Sequence, residues 1–173
     1  MANLPVPVPR TFTVSEVENA AFLNSVRDAL LFALNPPEAV VFQTAVQSLP
    51  NSTFTTINFD TTTVDSYGGH SNTTNNSRYT AQVAGWYWCT GQVCYDNTSS
   101  AGARQTFLAK NGTRIGTAFQ CAPATATSQG LSVGTLIQLA VGDYVEVQGW
   151  QSSGGALNTF AAQSSLNVDW RHA

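Results

Sequence analysis

The chain has 173 residues, 43% of them hydrophobic and only 10% charged, with a formal net charge of −3. Typical globular domains carry roughly 25% charged residues, so Thr, Ser, Asn and Gln must take positions that charges usually fill. The basic residues do not cluster, which argues against a nucleic-acid binder, and no apolar run approaches the ~20 residues of a membrane-spanning helix.

The length suits one domain with a real core. The first residues, MANLPVPVP, lack the basic start and apolar centre of a secretory signal, which predicts synthesis and retention in a cytoplasm. Pro5, Pro7 and Pro9 favour an extended arm. A helix is expected next. Ser15 and Glu18 form a capping box, and apolar residues recur at Val17, Ala20, Leu23, Leu30 and Leu34, flanked by Ala21, Val26 and Leu31. Asn24 interrupts this stripe, and Asn35-Pro36-Pro37 ends the helix because proline restricts the residue before it. A helix of this length is marginal alone, so the stripe needs a partner. Its own β-domain, copies of itself and a larger structure are the alternatives. The domain division is therefore an arm and helix over 1–37, serving attachment or trimerisation, and a β-domain over 38–173.

From residue 38 strand signals dominate. Runs at 39–47, 53–59, 78–83, 85–95, 104–109, 113–119, 131–140, 144–151 and 165–171 are rich in β-branched and aromatic residues. Asn111-Gly112 is the strongest hairpin signal, and Val141-Gly142-Asp143 marks another tight turn. Gly68-Gly69 with 71–77, 122–129 and 151–157 read as loops. The pattern predicts a mainly β sandwich or barrel of about ten strands. Alternation along 85–95 sends Tyr87, Cys89, Val93 and Tyr95 to one face and Trp86, Trp88, Thr90 and Gln92 to the other. The first face is expected to be core. Two tryptophans on the second suit a subunit interface, or cover by the helix or a loop.

The segment Arg78–Tyr87 (RYTAQVAGWY) resembles the corner between the second and third strands of the C1q/TNF-like jelly roll. That family reads roughly Arg/Lys, aromatic, Thr, Ala, Pro, Val, Ala, Gly, aliphatic, Tyr, and Gln82 replaces its usual proline. Phe59 to His70, the hairpin Leu136–Val147 and the closing stretch Phe160–Trp170 are similar to further family segments in the right order. The resemblance implies a C1q/TNF-like jelly-roll sandwich of about ten antiparallel strands, preceded by the arm and one α-helix. It also implies a homotrimeric binding module rather than an enzyme. Val17, Leu23, Leu30, Leu34, Trp86 and Trp88 are then the trimer-interface candidates. Tyr67, His70, Trp150 and Ser152, with the loop to Leu157, are the candidates for receptor contact.

A second resemblance lies in the leader. Thr11-Phe12, Glu16, Asn24, Arg27-Asp28, Phe32 and Pro36-Pro37 look like the start of minor tail proteins of bacteriophages infecting actinobacteria. The Gly85-Trp86-Tyr87 and Gln151–Leu157 stretches look like the β-modules of those proteins. The combination implies a phage virion protein, a tail-fibre or tail-tip module assembled in the host cytoplasm and exposed after release. Its partners would be other virion proteins, through the arm and helix, and a host surface glycan or protein. A capsid decoration protein and a bacterial C1q-like carbohydrate-binding protein are the alternatives.

No cofactor is expected, with calcium the alternative. Some C1q-like heads bind that ion through acidic loop residues, which makes Asp143 a candidate, although turn chemistry explains an aspartate there. Asp60, Asp65 and Asp96 are further oxygen donors without EF-hand spacing. His70 is also a candidate axial metal ligand in a trimer, against a plain loop histidine. His172 stands at the end of the chain. Cys89 and Cys94, on one strand, would sit about 16 Å apart, too far to bond. Cys94 with Cys121 and free buried thiols remain, free thiols being the expectation. The Asn51, Asn97 and Asn111 sequons mean little without a signal peptide. There is no nucleophile elbow, phosphate loop or His–Glu helix pair, and a glycosidase would need only two carboxylates. The expectation is no enzyme.

Overall fold

The computed structural model describes residues 20–121 and 127–173. The arm, the Ser15/Glu18 capping box and Val17 lie outside them. The described helix, α1, spans Ala20–Leu34. It is rich in Ala and Leu, strong helix formers, and stops where Asn35 N donates to Leu31 O at 3.0 Å ahead of the two prolines. No helix among the described residues is long and apolar enough to cross a membrane.

Among the described residues twelve strands follow: β1 Glu38–Gln43, β2 Ser48–Leu49, β3 Thr55–Thr56, β4 Thr61–Asp65, β5 Arg78–Thr80, β6 Gly85–Tyr95, β7 Ala103–Lys110, β8 Thr113–Cys121, β9 Gln129–Leu139, β10 Tyr144–Gln151, β11 Leu157–Asn158 and β12 Ser164–His172. One sheet has the order β4-β1-β12-β6-β9. The second has the order β3-β10-β7-β8, with β5 also on β10, and a small ladder joins β11 to β2. All the ladders are antiparallel, and sequence neighbours are often split between sheets, as in a jelly-roll sandwich.

Between the sheets lies one core, including Val41, Phe59, Tyr79, Tyr87, Tyr95, Leu108, Val145, Leu166 and Val168. Strand alternation places them there. In β12, Leu166 and Val168 are buried while Asn167 and Asp169 are half-exposed. The Asn111-Gly112 turn forms as its sequence requires, with φ of 48° and 79° at the two residues and Lys110 facing Thr113 across the ladder. Positive φ at both central positions is the hairpin geometry that matches strand twist.

Three strand expectations are shortened: 78–83 pairs only over Arg78–Thr80, and two further runs give way to local hydrogen bonds. The run 39–47 pairs only to Gln43, because the Asp60 carboxylate captures Thr44 N and Ala45 N, each at 2.8 Å. Within 53–59 only Thr55–Thr56 forms a ladder strand. In both places side-chain and loop hydrogen bonds compete with the sheet for backbone groups.

Candidate functional site

Five strands build the outward face of the first sheet, and β6 sets its character. Its inward row, Tyr87, Cys89, Val93 and Tyr95, is fully buried. Its outward row carries Trp86, Trp88, Thr90 and Gln92. Register places Trp88 between Leu136 of β9 and Asp169 of β12, and Trp86 between Gln138 and His172. Val40 and Phe42 of β1 lie farther along the same face, opposite Asn167 and Ser165.

The row divides in two. At the Gln92 end polar groups tie the strands together: Gln92 Nε2 donates to Gln163 O at 2.9 Å, Ser132 Oγ to Gln92 Oε1 at 2.9 Å, and Asn167 Nδ2 to Thr90 Oγ1 at 3.1 Å. At the other end the surface is apolar. Trp88 is 37% exposed and Leu136 47%, while Trp86 lies tilted against His172 with ring centroids 6.2 Å apart. Gly134 is what lets the indole lie down. A Cβ there would stand 3.2 Å from Trp88 Cζ2 and 3.1 Å from Thr90 Cγ2.

The helix does not cover this face. Its buried residue, Phe32, meets Trp170 edge-on at 4.8 Å and Tyr67 at 6.4 Å, closing a small cluster with Val83. The chain after it is tied down by Trp170 N donating to Pro37 O at 2.9 Å and Ser66 Oγ to Pro36 O at 2.9 Å. Leu23, Leu30 and Leu34 remain 56%, 58% and 81% exposed. Packing on its own domain thus engages Phe32, whereas Leu23, Leu30 and Leu34 of the expected stripe are left without cover among the described residues.

The receptor-contact candidates do not form one site. Tyr67 is buried beneath Phe32, because an aromatic following β4 is the surface the helix end needs, so its ring is not available to a partner. His70 is half-buried. Its Nδ1 lies 2.9 Å from Arg78 O and its Nε2 3.1 Å from Phe59 O, so neither nitrogen is turned outward to a shared metal. Trp150 is half-buried, with Phe54 at 6.3 Å. Ser152 Oγ accepts from Ala103 N at 2.9 Å, and Ser152 N donates to Ala103 O, pinning the loop before β7. His70 adjoins β5, which pairs with the start of β10. Ser152 follows the end of β10, about 20 Å along the strand.

The acidic candidates are also engaged within their own loops. Asp143 accepts from Lys110 Nζ at 2.8 Å, Asn111 Nδ2 at 2.8 Å and Ala140 N at 2.9 Å, and these donors lower its pKa. Asp60 is opposed by desolvation, yet the Thr44, Ala45 and Thr61 donors bring its pKa below the ordinary value. Asp65 accepts from Gly69 N and His70 N, and Asp96 from Thr98 N and Oγ1. Among the described residues no three His, Cys, Asp or Glu side chains gather as a metal site. Cys89 and Cys94 are free, buried thiols; burial, with some repulsion from Asp169, pushes the Cys89 thiol up to about 12.

Two groupings escaped the sequence. Phe54, Phe107 and Trp150 cluster on the outer face of the second sheet, with the Arg114 guanidinium 3.7 Å above Phe54. Arg78, marked only as the start of a corner, lines a cleft beside His70. The aromatic grouping has no local sequence signal, since its members come from separate strands and loops, whereas the cleft is built by one continuous stretch, 68–82, that carries no motif of its own.

No protein-family model matches the chain, and no curated protein matches its sequence. Solved structures do match its fold. The globular domain of zebrafish complement 1qA protein superposes with a TM-score of 0.56 at 13% identity, covering 79% of this chain and 99% of that one. Murine APRIL gives 0.58 at 11% identity over 78% and 99% of the two chains. Eiger TNF from S. frugiperda gives 0.58 at 11% over 78% and 93%. The fold is a C1q/TNF-like jelly roll.

Proposed function

We propose that this chain is a non-enzymatic, homotrimeric binding module whose subunits meet through the outward face of the first sheet and the apolar stripe of α1. The observation that carries this reading is the pairing of Trp88 with Leu136 on an uncovered face. A large aromatic and a leucine side by side in water are unfavourable on a monomer and ordinary at the centre of an interface. The exposed Leu23, Leu30 and Leu34 supply a second surface of the same kind. Trimeric assembly is also what the C1q/TNF resemblance implies. The engagement of His70 and of the acidic candidates in loop hydrogen bonds supports a binding role over a hydrolytic one.

We infer further that the module belongs to a bacteriophage virion, at the tail fibre or tail tip. The arm and helix attach it to other virion proteins, and the β-domain touches a glycan or protein of the host surface. The leader residues from Thr11 to Pro37 support this reading. Its test has two parts. Sedimentation of the purified chain reports the assembly, and a trimer is expected. Quantitative proteomics of purified particles, with an adsorption-competition assay, reports the role. A few trimers per particle and adsorption blocked by free protein support the tail-tip reading. Hundreds of copies over the head would replace it with capsid decoration. Absence from particles would replace it with a bacterial carbohydrate-binding protein.

A further inference from the structure

The Arg78 cleft has a donor set that no structural role uses. It is shallow, about 260 Å³, and His70, Ser71, Thr74, Arg78, Thr80 and Gln82 are among its lining residues. No carboxylate lines it. Arg78 and Thr80 sit on the outward row of β5, since Tyr79 between them is buried. The Arg78 guanidinium lies over the Tyr144 ring at 4.6 Å. That cation–π contact holds the guanidinium while leaving its N–H groups open to a ligand. It makes no side-chain hydrogen bond or ion pair with any described residue. Glu146 faces Arg78 across the ladder, but its Oε1 accepts from Ser77 Oγ at 3.0 Å. Asp65, on the other flank, is turned onto the Gly69 and His70 amides.

The neighbouring groups complement an anion with hydroxyls attached. Ser71 Oγ accepts from Thr73 N and Thr74 N, which leaves its proton to donate outward. Gln82 Nε2 donates to Thr80 O at 3.2 Å, leaving Oε1 as an acceptor. The cleft thus offers one cationic fork, hydroxyl donors and an amide acceptor.

We propose that this cleft binds a monosaccharide-sized, hydroxylated ligand carrying one oxyanion, a carboxylate or a phosphate, held by the Arg78 fork. The guanidinium takes two oxygens of the anion, and Thr80, Ser71 and Gln82 read the ring hydroxyls. Such a shallow site binds weakly by itself, and repetition on an oligomer raises affinity through effective concentration. The inference names a ligand class for the binding role proposed above. It rests on that reading only for multivalency, because the cleft lies within one subunit.

The test is an NMR titration of the full chain with glucuronate, glucose 1-phosphate, glucose and inorganic phosphate, alongside sedimentation of the same samples. Expected is a saturable shift of the Ser71, Arg78 and Thr80 amides with at least one anionic sugar, and a weaker response to glucose and to phosphate alone. The two anionic sugars separate carboxylate from phosphate. Arg78→Gln should weaken binding about tenfold or more, and Arg78→Lys less, because the charge stays while the fork is lost. Thr80→Val, which leaves Arg78 in place, should weaken binding by a smaller factor. Absence of shifts with both anionic sugars, equal binding of glucose or of bare phosphate, or undiminished binding by a folded Arg78→Gln variant would each overturn the proposal. A monomer that still binds refutes the assembly reading alone, and a trimer that does not bind refutes only this one.

Discussion

Replacing Trp88 by glutamate tests the assembly at its centre. A tryptophan side chain presents up to about 250 Å², and Trp88 retains 37% exposure on the single subunit, leaving roughly 90 Å² for a partner to cover. At about 25 cal/mol per Å² that is about 2 kcal/mol per subunit, or roughly thirtyfold in an equilibrium constant. Over three subunits the loss is somewhat more than about 10⁴-fold before any desolvation of the new charge is counted. Desolvation adds to it, because assembly would take the new carboxylate out of water, with Asp169 of the same subunit opposite it on the β6–β12 ladder rather than a cation. In the monomer the glutamate would sit in water, so the fold should survive. Sedimentation velocity over a concentration series should show wild-type trimer and mutant monomer, with unchanged far-ultraviolet circular dichroism. A W88E protein that stays trimeric with wild-type affinity would refute the reasoning. So would a wild-type chain that is monomeric throughout.

Phe32→Ala removes the ring that closes the Trp170–Tyr67–Val83 cluster; the expected loss is about 3 kcal/mol in denaturant melts, with a red shift of tryptophan fluorescence as Trp170 becomes wetter. Asp60 has a lowered pKa in the fold, so its contribution is present above about pH 4 and fades as pH falls through the folded value. Acid melts of Asp60→Asn should accordingly show a shallower fall in stability below pH 4 than wild type, and an identical slope would contradict the assigned hydrogen bonds. Cys89, its thiol pushed up to about 12 by burial, should resist alkylation at neutral pH until the chain is unfolded, as peptide mass mapping would show. Rapid labelling of Cys89 in native protein would contradict its place in the core.

Local chemistry was legible wherever one segment carried the whole argument. The β6 alternation separated Tyr87, Cys89 and Tyr95 from Trp86 and Trp88 because side-chain direction in a strand follows from position alone. The Asn111-Gly112 turn was equally plain, since few residues accept positive φ twice in succession. Legibility failed where a residue's fate depended on a distant partner. Tyr67 read as a loop aromatic free for contact, yet Phe32, thirty-five positions earlier, comes to rest on it. The strand expected to run to Gln47 stops at Gln43 because Asp60 reaches back to Thr44 and Ala45. Arg78 marked a corner in the sequence, and only pairing with β10 set Tyr144 beneath its guanidinium.

By itself, then, the sequence determined the β-rich class, the facing of side chains along the long strands, the Asn111-Gly112 turn, and which rows were apolar. Those properties rest on short-range sterics and periodicity. Tertiary structure decided which apolar row was core, which was left uncovered and which polar groups remained unspent. That allocation depends on how two sheets and a helix end compete for the same buried surface, and competition between distant segments leaves no trace in any one of them.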